Sequence, residues 1–224
     1  MNHKYDNKKG LLLAVLFCWL VACQSPDIPT NITTESGLFD TLTITELEQL
    51  QTGDVLLRKG FGWVSETIAD YLDEAYPITH CGLVVKYATD SMAVLHTLSS
   101  ERHNGMLLEP LASYCQQSQK GSLIAVRLRA NEEQKEQIIL EAKYLLAQKV
   151  PFDLGFDDRD SSKLYCIEML RNVYQNVLHK DILARRATDK GMDVLYMDNL
   201  LDTTNFDILF NHFDKQEKDE PRTE

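Results

Sequence analysis

Three side chains in this sequence have the types and settings that covalent hydrolysis requires. Cys166 stands near the start of a segment, Leu164 to Leu178, in which Cys166, Met169, Leu170, Val173 and Val177 recur at helical spacing. A thiol in the first turn of a helix meets unpaired backbone N–H groups and the positive end of the helix dipole, and both favour the thiolate, which is the nucleophile. A thiolate nucleophile uses an imidazole as its proton partner and a third group to orient that imidazole. His80 lies just before the apolar run Cys81 to Tyr87, and His96 lies inside the next run, Met92 to Leu98. If the two runs pair as antiparallel strands, residues 80 and 96 are near neighbours on one face. The plainer alternatives are a small buried hydrophobe for Cys166 and a core histidine bonded to a backbone carbonyl for His96.

These residues need elements to hold them. The polar break Ala88-Thr89-Asp90-Ser91 between the two runs predicts a hairpin. A Gly53-Asp54 turn opens another strand through Arg58, and Ser122 to Leu128 has the same character. Gly60 to Tyr76 reads as a loop followed by an amphipathic segment with Trp63, Val64, Ile68 and Leu72 as its apolar face, closed by Pro77. Asn131 to Val150 is the clearest helix, capped by Asn131, with Glu132 and Glu133 at its positive end and a stripe of Ile138, Ile139, Ala142, Leu145 and Leu146. Ser36 to Leu50 predicts a short helix on the domain edge. Glu101 to Gln119 is polar and irregular and reads as a loop over a site. The sum is an α+β domain of three or four antiparallel strands with two or three helices.

Composition narrows the function. The 224 residues carry 34 acidic and 23 basic side chains, a formal charge of −11, with no cluster of Lys and Arg to neutralise phosphates, so nucleic acid is excluded as the partner. One stretch alone is apolar enough to enter a membrane, Leu11 to Ala22, which excludes a multi-span transporter. It follows a Lys-bearing start and ends Leu20-Val21-Ala22-Cys23, which resembles a bacterial lipobox. That resemblance implies cleavage before Cys23, lipid attachment to Cys23 and, with Gln24 rather than Asp next, delivery to the outer membrane of a Gram-negative bacterium. The expected organisation is a signal peptide at 1–22, a lipid-anchored tether at 23–36, a domain at 37–213 and a disordered charged tail at 214–224. Cys81, Cys115 and Cys166 then remain in the exported domain, an odd number, so at least one thiol stays free or pairs outside the chain. Cys81 should point away from His80 into the core.

Gly53-Asp54-Val55-Leu56, then Ile78-Thr79-His80-Cys81-Gly82-Leu83, then Leu164-Tyr165-Cys166-Ile167-Glu168 resemble, in order, the motifs of the permuted papain-like branch of the NlpC/P60 superfamily, the YiiX/YebB-like cysteine hydrolases. The run Pro151-Phe152-Asp153-Leu154-Gly155-Phe156-Asp157 is similar to the stretch that precedes the nucleophile there. The resemblance covers roughly residues 50 to 200 and implies a circularly permuted papain-like fold, a small antiparallel sheet or barrel packed against helices. It implies Cys166 as nucleophile, His80 as general base and later acid, His96 as the orienting group, and Tyr165 and Asp54 at the substrate pocket. It implies no cofactor and no metal. The family pattern has a Glu where this chain has His96. An imidazole can accept a bond from the base but brings no negative charge, and Glu101 is the nearby carboxylate that could supply one. Glu168 is expected to be structural, and the Cys166 N–H to serve the oxyanion.

The implied activity is amide hydrolysis through a thioester on a small peptide or other amino-acid amide, with peptidoglycan-derived substrates the envelope candidates. A runner-up keeps the same dyad but acts on lipid acyl groups. In a third reading the domain is an inactive binding module, or His80, Cys81, His96, His103 and Cys115 gather round zinc, although their spacing lacks the short pairs of known zinc motifs.

Overall fold

Side-chain alternation in the apolar runs builds a six-stranded antiparallel sheet whose two faces carry two separate cores. The structure, a computed structural model, describes residues 38–88, 91–157, 159–188 and 193–215. In chain order these form α1 (Ile44–Gln49), β1 (Asp54–Arg58), α2 (Trp63–Leu72), β2 (His80–Ala88), β3 (Ser91–Ser99), β4 (Asn104–Pro110), α3 (Leu111–Gln116), β5 (Ile124–Leu128), α4 (Glu132–Ala147), α5 (Cys166–Leu178), the two-residue strands β6 (Arg186–Ala187) and β7 (Asp193–Val194), a 3-10 turn at Met197–Leu201, and β8 (Phe206–Asn211). The sheet order is β4-β3-β2-β1-β5-β8, and every pairing is antiparallel. Val55, Leu57, Cys81, Leu83, Leu95 and Val126 point to one face and pack under α4 and α5. Leu56, Val84, Val94 and Ala125 point to the other, against Tyr114 and Cys115 of α3.

The fold is the expected α+β arrangement, with more strands than three or four. Asn104–Pro110, inside the expected loop, is an edge strand, and α3 follows it directly. β8 closes the opposite edge. The amphipathic face assigned to α2 is corrected: Ile68 and Leu72 are half-buried, whereas Trp63 is 78% exposed and Val64 also faces solvent. α4 carries the expected Asn131 cap, with Gln134 returning a bond to the Asn131 N–H. At the start of the stretch read from sequence as the tail, Tyr76 donates to Asp214 at 2.5 Å, and Lys215 pairs with Glu46. The expected signal peptide, lipidated Cys23 and tether lie outside the described residues, as does the rest of the expected tail.

One cluster ties the first described residues to the last strand. Asp40 accepts the N–H groups of Ser122 and Leu123 at 2.8 and 2.9 Å and bonds His212 Nδ1 at 2.9 Å, while His212 Nε2 reaches Glu46 at 3.0 Å. Burial pushes the imidazole down, but the two carboxylates outweigh it and hold His212 above its ordinary range. Asp40 is lowered despite its burial, and Glu46 is held at about 2 against its own desolvation by Lys215, Thr43 and His212. A raised imidazole stabilises the fold below its unfolded value and loses that contribution as pH rises through the folded value; the depressed carboxylates contribute above their unfolded values and lose it in acid. Thermal unfolding should therefore show greatest stability between about pH 5 and 6.5. His212→Leu should cost roughly 1–3 kcal/mol there, with the difference from the parent shrinking toward pH 9.

Candidate active site

Cys166 is the first residue of α5, as its spacing predicts. Tyr165 is the N-cap, and buried Glu168 accepts the Tyr165 N–H at 3.2 Å, which closes the first turn. The preceding segment is held by a bridge between Phe152 and Leu164, with the Leu164 N–H donating to the Pro151 carbonyl at 3.0 Å. Asp153 accepts from Gly155 at 2.8 Å and from Asp157 at 2.5 Å, folding the acidic-aromatic run so that the Phe156 ring lies 5.3 Å from that of Tyr165. Phe156 adopts φ +50° to do so, a conformation that a bulky residue takes only when its surroundings impose it.

The Cys166 sulfur is buried, yet its thiol titrates below the ordinary cysteine range. The largest cause is a hydrogen bond from the Cys81 thiol; burial opposes it, and backbone N–H groups of Cys81, Ile167 and Cys166 itself add to the lowering. Cys81, conversely, is pushed well up by burial and by its neighbour. Cys81 is thus a core residue, as expected, and also the donor against Cys166, a contact that sequence separation hides.

His80 is the first residue of β2. Thr79 before it is pinned: its N–H donates to the Arg58 carbonyl at 3.0 Å, and its hydroxyl accepts from Gly60 at 3.0 Å and bonds Ser65 at 2.6 Å. His80 Nε2 lies 2.8 Å from His96 Nδ1, and His96 Nε2 lies 3.1 Å from Glu109 Oε2. Continuing the Leu83–Leu95 register sets His96 across from Gly82. A methyl on Gly82 would stand 2.5 Å from Val94 and 2.9 Å from the His96 Cβ, so only glycine admits both. Gln117 Nε2 holds the other Glu109 oxygen.

This chain fixes its own tautomers. Glu109 can only accept, so His96 donates from Nε2 and presents the lone pair of Nδ1. His80 must then donate from Nε2, which leaves its Nδ1 as the proton acceptor. Both rings are held below the ordinary imidazole range, His80 well below it, by burial first and then by the Arg58 charge and His96; at His96 the same burial outweighs the pull of Glu109. Glu109 therefore supplies, one bond further out, the negative charge that His96 lacks. Glu101, the carboxylate considered from the sequence, is exposed and takes no part. No hydrogen bond joins His80 to Cys166 among the described residues; Cys166 instead touches Cys81, the next residue along β2. Catalytic bonds of this kind often close only around bound substrate.

A cavity of about 650 Å³ opens on Cys166 and Tyr165, with Ile68, Leu72, Phe156, Leu195 and Met197 among its apolar walls. Tyr165 sits where a pocket residue is expected. Asp54 does not: it is buried in β1, takes two bonds from Arg127 on β5 at 2.7 and 2.8 Å and caps the Gln51 N–H at 2.7 Å, so its carboxylate is spent on the sheet and does not line the cavity. The five residues considered for zinc do not converge. Cys81 and Cys115 lie in the cores on opposite faces, His80 and His96 bond each other, and His103 faces the carbonyls of Gly105 and Met106 at 3.2 Å. No group of three or more His, Cys, Asp or Glu among the described residues is placed to hold a metal ion.

A helix-borne thiol that follows its histidine in the chain, packed on an antiparallel sheet, defines a cysteine hydrolase of the permuted papain-like class. Residues 49–198 match the family model of the permuted papain-like amidases, YaeF/YiiX, C92 family, and the chain belongs to that family. Among solved structures it is similar to one described as the metalloprotein yiiX from Escherichia coli O157:H7, at 19% identity and TM-score 0.60, covering 73% of this chain and 98% of that one. That likeness shows the fold. No curated protein matches the chain.

Replacing Glu109 by Gln keeps the size of the side chain but removes the charge behind the two imidazoles. Hydrolysis of p-nitrophenyl esters by this variant should fall roughly 10- to 100-fold, a share of the 10²–10⁴ that positioned proton transfer supplies. Gly82→Ala should lose about 1–3 kcal/mol in urea unfolding through overpacking against Val94 and His96.

Proposed function

We propose that the protein is a lipid-anchored cysteine amidase of the bacterial cell envelope that hydrolyses amino-acid amides, peptidoglycan-derived ones included, through a thioester on Cys166. The observation that carries this reading is the Glu109–His96–His80 chain, which leaves His80 Nδ1 as the proton-accepting nitrogen, in a domain whose helix-borne Cys166 opens on a cavity. Cys166 attacks the substrate carbonyl as its proton passes to His80 Nδ1. The helix N-terminus opposes the charge that forms on the carbonyl oxygen. His80 then delivers the proton to the departing amine, leaving the acyl group on sulfur. Water attacks the thioester with His80 as base, and the acid departs as the thiol is restored. The Leu20-Val21-Ala22-Cys23 sequence supports the anchor and the location.

The cavity walls favour a second reading, in which the acyl group is a hydrocarbon chain carried by a lipid. A space of about 650 Å³ with Ile68, Leu72, Phe156, Leu195 and Met197 in its wall has apolar surface for a hydrocarbon chain, while Asp157, Arg159, Arg185 and Asp193 in the same wall can take a polar head. A matched panel of peptide amides and long-chain acyl esters separates the two.

The reactivity of the thiols tests the chemistry. Iodoacetamide should label Cys166 well below pH 8 and ahead of Cys81 and Cys115, with burial holding Cys115 at about 12. His80→Ala should slow this labelling at least about tenfold. Ordinary thiol behaviour at Cys166 in both proteins would remove the hydrolase mechanism. Mass analysis of the membrane-extracted protein should show an acylated Cys23 at its terminus.

A further inference from the structure

The register of β1 and β2 sets Arg58 directly opposite His80. Arg58 is 3% exposed, and among the described residues its compensation is thin. No carboxylate pairs with it, its Nε has no partner, and its Nη1 makes one long bond, 3.4 Å, to the Tyr114 carbonyl. The guanidinium lies 4.4 Å from the centre of the Tyr114 ring, and that ring is 5.9 Å from His80 and 5.3 Å from His96. Burying a cation without a counter-ion is expensive, and an apolar side chain would fill the position without that expense. A charge kept there acts on what surrounds it.

The titratable groups set against His80 among the described residues come from four elements. Arg58 faces it from β1 and His96 from β3, with Glu109 behind His96 on β4 and the Tyr114 ring from α3. The sole carboxylate of this set is one imidazole removed from His80, whereas the cation is its cross-strand neighbour.

Resting on the reading of His80 as the base, we propose that Arg58 is a positioning residue for the proton: its charge keeps the His80–His96 pair unprotonated in the resting enzyme and drives the proton from His80 Nδ1 to the leaving amine as the tetrahedral intermediate collapses to the thioester. No atoms are exchanged with Arg58. It acts by repelling the imidazolium, which makes His80 a ready acceptor only while thiol attack supplies the proton and a strong donor straight afterwards. Arg58 is the largest influence on His80 after burial, ahead of His96, and it pulls His96 in the same direction.

Protein labelled with ¹³C at histidine Cε1 reads this directly by NMR, with the His80 signal assigned by its loss in His80→Gln. In the parent, His80 should titrate well below an ordinary imidazole, and Arg58→Met should move its titration upward by about one pH unit. The acid limb of kcat/KM for p-nitrophenyl ester hydrolysis should move by the same amount. Arg58→Lys, which keeps the charge, should titrate like the parent. A purely structural role would lower the unfolding temperature of both variants and leave the His80 titration where it was. An unmoved titration in folded Arg58→Met, or a parent His80 already charged at pH 6.5, overturns the proposal. If Arg58→Met does not fold, Arg58→Gln, which retains a donor for the Tyr114 carbonyl, carries the same expectation. The titration needs no turnover, so an upward shift without hydrolysis in any variant would sink the reading of His80 as base, while hydrolysis without the shift would sink the role of Arg58.

Discussion

Two imidazoles can be buried edge to edge only if every ring nitrogen facing protein has a partner of the right kind, and that requirement organises this domain. His80, His96 and Glu109 meet it by running one hydrogen-bonded line across β2, β3 and β4. The line has a single consistent direction, set by a carboxylate that can only accept. Gly82 exists to let His96 close on His80, and Gln117 holds the far oxygen of Glu109 at the end of α3. An unpaired buried polar group would cost about 1–3 kcal/mol, so the network resists rearrangement and delivers His80 with one defined nitrogen available.

Cys166 is placed by a different set of contacts. α5 begins at Cys166 because Glu168 folds back on the Tyr165 N–H and because the bridge at Phe152 and Leu164 fixes the approach of the chain. The Cys81 thiol and the first backbone N–H groups of the helix then stabilise the sulfur in its charged form. The two halves of the site meet on neighbouring residues of one strand: the imidazole belongs to His80 and the thiol partner to Cys81. Burial and the Arg58 charge both disfavour an imidazolium at His80.

How much of this was legible depended on how local the cause was. The helix bearing Cys166, the hairpin bearing His80 and His96, and the Asn131 cap all follow from periodicity and turn chemistry within a few residues, and the motif order carried the family. Glu109 did not, because Asn104–Pro110 is an edge strand: Gly105, Glu109 and Pro110 are tolerated there and read from sequence as a polar loop. Asp54 was misplaced for the opposite reason. The Gly-Asp turn is a local signal, but the ion pair of Asp54 with Arg127 depends on β1 lying beside β5, which no local pattern announces. The exposure of Trp63 has the same origin, since a helical stripe says which residues share a face and not whether anything covers it.

The bonds from Asp40 and Glu46 to His212 bear on how such a domain comes to have its motifs in this order. They hold the first described segment against the last strand at hydrogen-bond distance. A few added residues could join those two ends, and a cut elsewhere on the surface would then yield the same three-dimensional object with a different starting point. His80 and Cys166 would keep their places in space while exchanging their order along the gene. Rearranged descent of this kind is tolerated where the ends are already neighbours, and here they are fastened together by a histidine shared between two carboxylates.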